Sequence, residues 1–148
     1  MSEVNHMSRI STYYRGDMLF ETGLGQHKVL VDVPATMGGQ DRAPTPPEYF
    51  IASLGSCVAA LVASYCDRAK INATGLSVHV DFDKADRPTR LTNINITITL
   101  PYGQTLNKEE AIRRVAEHCP VHETMLTLEG VHFEIVDQTT LDREVIPL

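Results

Sequence analysis

A basic excess is the first thing this chain lacks. Its 148 residues carry 13 Lys and Arg against 19 Asp and Glu, a formal net charge of -6. Phosphate recognition needs a basic face, so nucleic acid is not expected as a partner. Cysteine is scarce, at three residues. No charged opening segment leads into a cleavable apolar stretch, so a secretory signal is not expected. The three thiols then suit a reducing cytoplasm and argue against a structural disulfide framework. A long unbroken apolar run is also missing. The longest, near residues 49–66, is interrupted by Ser53, Ser56 and Ser64 and reads as falling short of a membrane span. There is no internal repeat and no low-complexity segment. No flavin or nicotinamide fingerprint occurs, so no cofactor is expected, and any redox chemistry must draw reducing power from a partner. What remains, 43% hydrophobic and 22% charged residues, fits one domain over 1–148 with its own core.

The pattern along the chain predicts a mixed fold. Arg9 to Tyr14, Met18 to Glu21 and Lys28 to Val33 are rich in β-formers and separated by glycine turns, an antiparallel meander that Pro34 stops. Met37 to Pro44 carries Gly38, Gly39, Asp41 and Pro44 and reads as a surface loop. Thr45, Pro46 and Glu48 are a capping box with the favoured first-turn proline, predicting a helix from Pro46 to about Lys70. That helix is apolar nearly all round, which predicts burial on all sides and hence an obligate dimer. Leu76, Val78, Val80 and Phe82, and then Ile94, Ile96, Ile98 and Leu100, alternate with polar residues. They predict a hairpin turning at Asp86 to Pro88. Asn107 and Glu110 suggest a second capping box and a helix that Pro120 ends just after Cys119. Val131, Phe133 and Ile135 predict a last strand after the Glu129-Gly130 turn.

Cys57, inside the long helix, and Cys119, at the end of the second, are far apart in sequence and each placed by a helix. Two such thiols are what a dithiol redox site needs. The alternative is that both are small buried hydrophobes, a common fate of free cysteine. Burial alone would make Cys57 inert, so something must favour its thiolate. Arg15, Arg42, His118 and His122 are the candidates, with Ser53 and Ser56 as hydrogen-bond donors on the same helix. Cys66 lies nine residues on, roughly 13 Å along the axis, too far to bridge to Cys57, and reads as core. Glu48 is either the N3 cap or a carboxylate that orients an arginine. A metal site at His118, Cys119 and His122 matches no familiar zinc spacing and is not expected.

Pro46-Pro47-Glu48, Ala52-Ser53-Leu54-Gly55-Ser56-Cys57 and Cys119-Pro120-Val121-His122, in this order of elements, resemble the OsmC/Ohr family of osmotically inducible and organic hydroperoxide resistance proteins. The wording around Cys57 is closest to the OsmC-like branch. The resemblance implies an α+β fold in which antiparallel β-sheets wrap long buried helices in an intertwined homodimer. It implies a thiol-dependent peroxidase acting on organic hydroperoxides, with Cys57 as the peroxidatic thiol, Cys119 as the resolving thiol and an external dithiol as reductant. It also implies an arginine, Arg15 first and Arg42 second, and a glutamate at the start of the long helix. In the family's reductases that glutamate follows the first proline. Pro47 stands there in this chain and Glu48 comes one residue later, about 100° around the helix. The shift motivates an alternative, a dimer of the same fold that binds a small apolar ligand without turnover.

Overall fold

The computed structural model describes residues 8–144. β1 (Ser11–Tyr14), β2 (Phe20–Leu24) and β3 (His27–Val31) form an antiparallel meander in that order. Tyr14 pairs with Phe20 and Phe20 with Val31, and the Tyr14 and Phe20 rings sit 5.5 Å apart. A short 3-10 turn at Ala35–Met37 opens the loop that follows. Its organiser is Asp32, a fully buried carboxylate. Asp32 accepts hydrogen bonds from the backbone N–H groups of Val33, Gln40 and Arg42 and from Arg42 Nε at 2.8 Å. The loop folds back so tightly that a Cβ on Gly39 would overlap the Val33 carbonyl.

α1 runs Pro46–Ala69, with Lys70 as its left-handed C-cap, as the capping sequence predicts. Ile51, Leu54, Val58, Val62 and Cys66 form its buried stripe, at the i, i+3, i+4 spacing of one helix face. β4 (Ser77–Ala85) and β5 (Arg90–Thr99) form the expected hairpin, which packs through β4 on α1. Contact there is close: a Cβ on Gly55 would come within 3.3 Å of Val80. α2 (Glu109–Glu117) and α3 (Pro120–Thr127) lie against α1, and α4 (Gln138–Glu144) follows. Ile71, Ile112 and Cys119 complete the core around the α1 stripe.

Within one chain α1 leaves Ala52, Ser53, Ser56, Ala60 and Ser64 exposed, a face that the expected dimer would cover. The structure corrects three other expectations. The serines do not shorten the helix, because Ser53 Oγ and Ser56 Oγ donate to their own backbone carbonyls at Phe50 and Ala52. α1 is therefore long and apolar enough to cross a membrane by length and composition, although its buried stripe packs inside this fold. Lys108, not Asn107, caps α2, and Glu110 pairs instead with Arg113 and Arg114. The expected final strand is not formed among the described residues. Val131, Phe133 and Ile135 lie in an irregular segment, with Phe133 82% and Ile135 90% exposed.

Candidate active site

The end of α2 and the start of α3 place Cys119. Arg114 closes α2 by accepting the His118 N–H, and Pro120 occupies the first position of α3, where its missing N–H costs nothing. Cys119 is thus the N-cap of α3, and its carbonyl accepts the Glu123 N–H at 2.9 Å. α1 brings Cys57 against it, partly buried and packed on the same core cluster. Burial pushes the Cys119 thiol above the ordinary cysteine range, and the neighbouring Cys57 sulfur adds to that. The Val121 and His122 amides at the start of α3 act the other way, favouring the thiolate. Cys66 is fully buried, and burial likewise raises its thiol.

An apolar groove of about 600 Å³ is walled by Phe50, Leu91, Ile94, Pro120, Val121 and Met125; it reaches the residues that follow Cys119, and neither cysteine lines it. Phe50 is seven residues before Cys57, two turns along the same face of α1. Pro120 and Val121 directly follow Cys119. Ile94 also borders a second groove of about 530 Å³ between β5 and α2, which is lined by Ile98, Ile112, Arg113, Glu117 and His122.

The residues expected to activate Cys57 are engaged elsewhere within the chain. Arg15 donates to Glu21 at 3.0 Å and its guanidinium lies 5.4 Å from the centre of the Tyr13 ring. That pairing, with Lys28, holds the Glu21 carboxyl below its ordinary range. Arg42 is bound to Asp32, and its Nη2 donates to the Asp17 carbonyl, tying the loop to the β1–β2 turn. Glu48 accepts from the Thr45 N–H at 2.7 Å and from the Thr45 hydroxyl at 2.9 Å. These bonds lower its titration, with Lys84 nearby contributing. His118 lies 3.4 Å from Glu123, and His122 Nδ1 lies 2.7 Å from the Glu117 carbonyl. Cys57 and Cys119 are brought together, whereas Arg15, Arg42 and Glu48 are each bonded to local partners within the chain. Among the described residues no cluster of three His, Cys, Asp or Glu side chains could hold a metal ion. Sequence reasoning missed Asp32; its signal is a lone carboxylate inside Val29-Leu30-Val31-Asp32-Val33, where an unpaired charge would not be tolerated.

The sequence profile of the family described as OsmC-like protein matches residues 38–135. A search of curated proteins finds no match. Among solved structures the chain is similar to an osmotic stress and detoxification response protein, so described, from Psychrobacter arcticus. Identity is 22% over 81% of this chain and 89% of that one, with a TM-score of 0.72. An OsmC like protein from Mycoplasma pneumoniae is 19% identical over 84% of this chain and 91% of that one, TM-score 0.68. The organic hydroperoxide resistance protein OsmC from Legionella pneumophila is 20% identical over 83% and 91%, TM-score 0.63. At these identities the likeness speaks for the fold.

Proposed function

From the membership of this chain in the OsmC-like protein family, we propose that it is a cytoplasmic thiol-dependent peroxidase for organic hydroperoxides. The Cys57 thiolate attacks the terminal peroxide oxygen, the O–O bond breaks, an alcohol leaves and Cys57 becomes a sulfenic acid. Cys119 condenses with it to a disulfide and water, and an external dithiol restores both thiols. The observation that carries this reading is the meeting of Cys57 and Cys119 within one chain beside an apolar groove. An intrachain bridge then needs no partner, and the groove suits the alkyl part of the substrate. The working unit is a homodimer, since the exposed small-residue face of α1 and the apolar segment after α3 both need a cover.

The direct assay is consumption of tert-butyl hydroperoxide with dithiothreitol. Wild type should turn over, Cys57→Ser should be inactive, and Cys119→Ser, with the dithiothreitol left out, should stop after one equivalent with Cys57 as sulfenic acid. No consumption by wild type, or an unchanged rate in Cys57→Ser, overturns the reading. The engagement of Arg15, Arg42 and Glu48 away from Cys57 favours a second reading, an apolar-ligand-binding dimer without turnover. Intact mass after mild peroxide separates the two: a loss of two hydrogens per chain supports the peroxidase, and a chain that stays reduced supports the binding protein.

A further inference from the structure

The two sulfurs belong to elements of unequal firmness. Cys57 stands on α1, whose stripe Ile51, Leu54, Val58, Val62 and Cys66 is buried. Cys119 is the N-cap of α3, a helix of 8 residues with no fully buried side chain. Both thiols are free in this structure. Thiols in contact can rest at van der Waals distance, whereas a disulfide imposes a bond and a torsion on both side chains. Closure therefore displaces the element with less packing to lose, which is α3. Pro120 follows Cys119 directly, and its fixed φ passes a shift of Cys119 into the helix. The same helix walls the groove of about 600 Å³ through Pro120, Val121, Thr124 and Met125; Phe50 on α1 and Ile94 on β5 belong to the other walls. No side chain that lines this groove is charged. The neighbouring groove, by contrast, carries Glu109, Arg113 and Glu117. The first groove thus suits an uncharged alkyl group, the part shared by a hydroperoxide and the alcohol it leaves.

We propose that closing the Cys57–Cys119 disulfide shifts α3 and lowers the affinity of this groove for an alkyl guest, so that oxidation of the pair releases the alcohol product. This rests on the peroxidase reading above for the identity of the guest. The chemistry balances. The Cys57 thiolate takes the terminal oxygen of the hydroperoxide, the O–O bond breaks, and the alkoxide leaves with a proton as the alcohol. The Cys119 thiol then attacks the Cys57 sulfenic sulfur; the S–S bond forms, the S–O bond breaks, and the oxygen leaves as water. Two electrons pass from the thiols to the peroxide, and the external dithiol returns them. The coupling is reciprocal: the factor that the disulfide takes from guest affinity, the guest takes from disulfide formation. The dithiol chain thus holds the alkyl group while the reaction runs, and the disulfide chain meets its reductant with the groove emptied.

The probe is N-phenyl-1-naphthylamine, an uncharged apolar dye, titrated by fluorescence into the full chain. Diamide makes the disulfide: it takes two electrons and two protons from the thiols and becomes the hydrazine, so no peroxide turnover is needed. Loss of two hydrogens in intact mass checks the product. The oxidised chain should bind the dye about ten-fold more weakly than the reduced chain. In a dithiothreitol redox buffer, saturating dye should move the dithiol–disulfide equilibrium toward the dithiol by the same factor. Oxidation should also quicken hydrogen exchange in α3, at the Glu123 amide that the Cys119 carbonyl holds, and leave Val58 and Val62 unchanged. Leu128→Asp, at an exposed position on the groove wall, should weaken the dye in both redox states. The double variant Cys57→Ser, Cys119→Ser should bind as the reduced chain does and ignore diamide. Equal dye affinity in the two redox states, within about two-fold, overturns the inference and leaves the peroxidase reading standing. Dye binding that Leu128→Asp does not weaken overturns it as well, because the guest then sits elsewhere. Failure of diamide to form the disulfide overturns both. Dye affinity that follows the redox state in a chain that consumes no tert-butyl hydroperoxide overturns the peroxidase reading and not the coupling.

Discussion

Asp32 shows how much one residue organises. Its carboxylate closes the loop between the meander and α1, and through Arg42 it reaches the β1–β2 turn that follows Arg15. The Arg42 guanidinium holds the Asp32 carboxyl well below the usual carboxylate range, with three backbone N–H groups supporting the anion. An unfolded aspartate titrates near about pH 4. The stabilisation is therefore complete above that pH and is lost as pH falls through the lower folded-state value. Asp32→Asn should lower the melting temperature by roughly 10 °C at neutral pH. It should also flatten the acid limb of the stability profile, which thermal scans from about pH 2 to 7 would read. Cys66 is the opposite case, a thiol with a packing role. Cys66→Ala should cost about 1–2 kcal/mol of stability in denaturant titration and leave peroxide consumption at the wild-type rate.

At the scale of the element, local chemistry explains what the sequence could announce. α1 begins where Thr45, Pro46 and Glu48 say it should, because capping and proline act within one turn. The β4–β5 hairpin is equally plain, since period-two alternation is a local signal. α3 was hidden, because Pro120 reads as a stop for the helix before it and is also the first residue of the helix after it. The meeting of Cys57 and Cys119 was suggested by residue type alone; the contact itself joins α1 to the α2–α3 junction and depends on tertiary packing that no local pattern encodes. Glu48 could be read as cap or as site, and in the structure its carboxylate is bound to Thr45. Thr45→Ala should cost about 1 kcal/mol. If capping is the whole role of Glu48, Glu48→Ala should lower stability and leave Cys57 alkylation by iodoacetamide unchanged at neutral pH. Slower alkylation in Glu48→Ala would show that this carboxylate helps to hold the thiolate.

For the whole molecule, the segment after α3 is the informative part. Val131, Phe133 and Ile135 alternate as a half-buried strand does, yet among the described residues they join neither sheet and are among the most exposed apolar side chains. A strand is completed by a neighbouring edge, and the alternation could show the propensity but not the partner. The β1–β3 meander also makes little contact with α1, while α1 leaves its alanine and serine face open. Left uncovered, these surfaces would make the chain prone to association, so a second copy is the expected cover. The substitution Phe133→Asp separates the cases. At an exposed site of a monomer it should change stability by less than about 0.5 kcal/mol. Under a partner it buries a charge and should split the dimer. Wild type should sediment at twice 16.4 kDa, with a melting temperature that rises with protein concentration. Phe133→Asp should shift toward the single-chain mass and lose that concentration dependence. A wild-type chain that sediments at 16.4 kDa at micromolar concentration, with melting indifferent to both concentration and Phe133→Asp, would show that the exposed segment is not an interface.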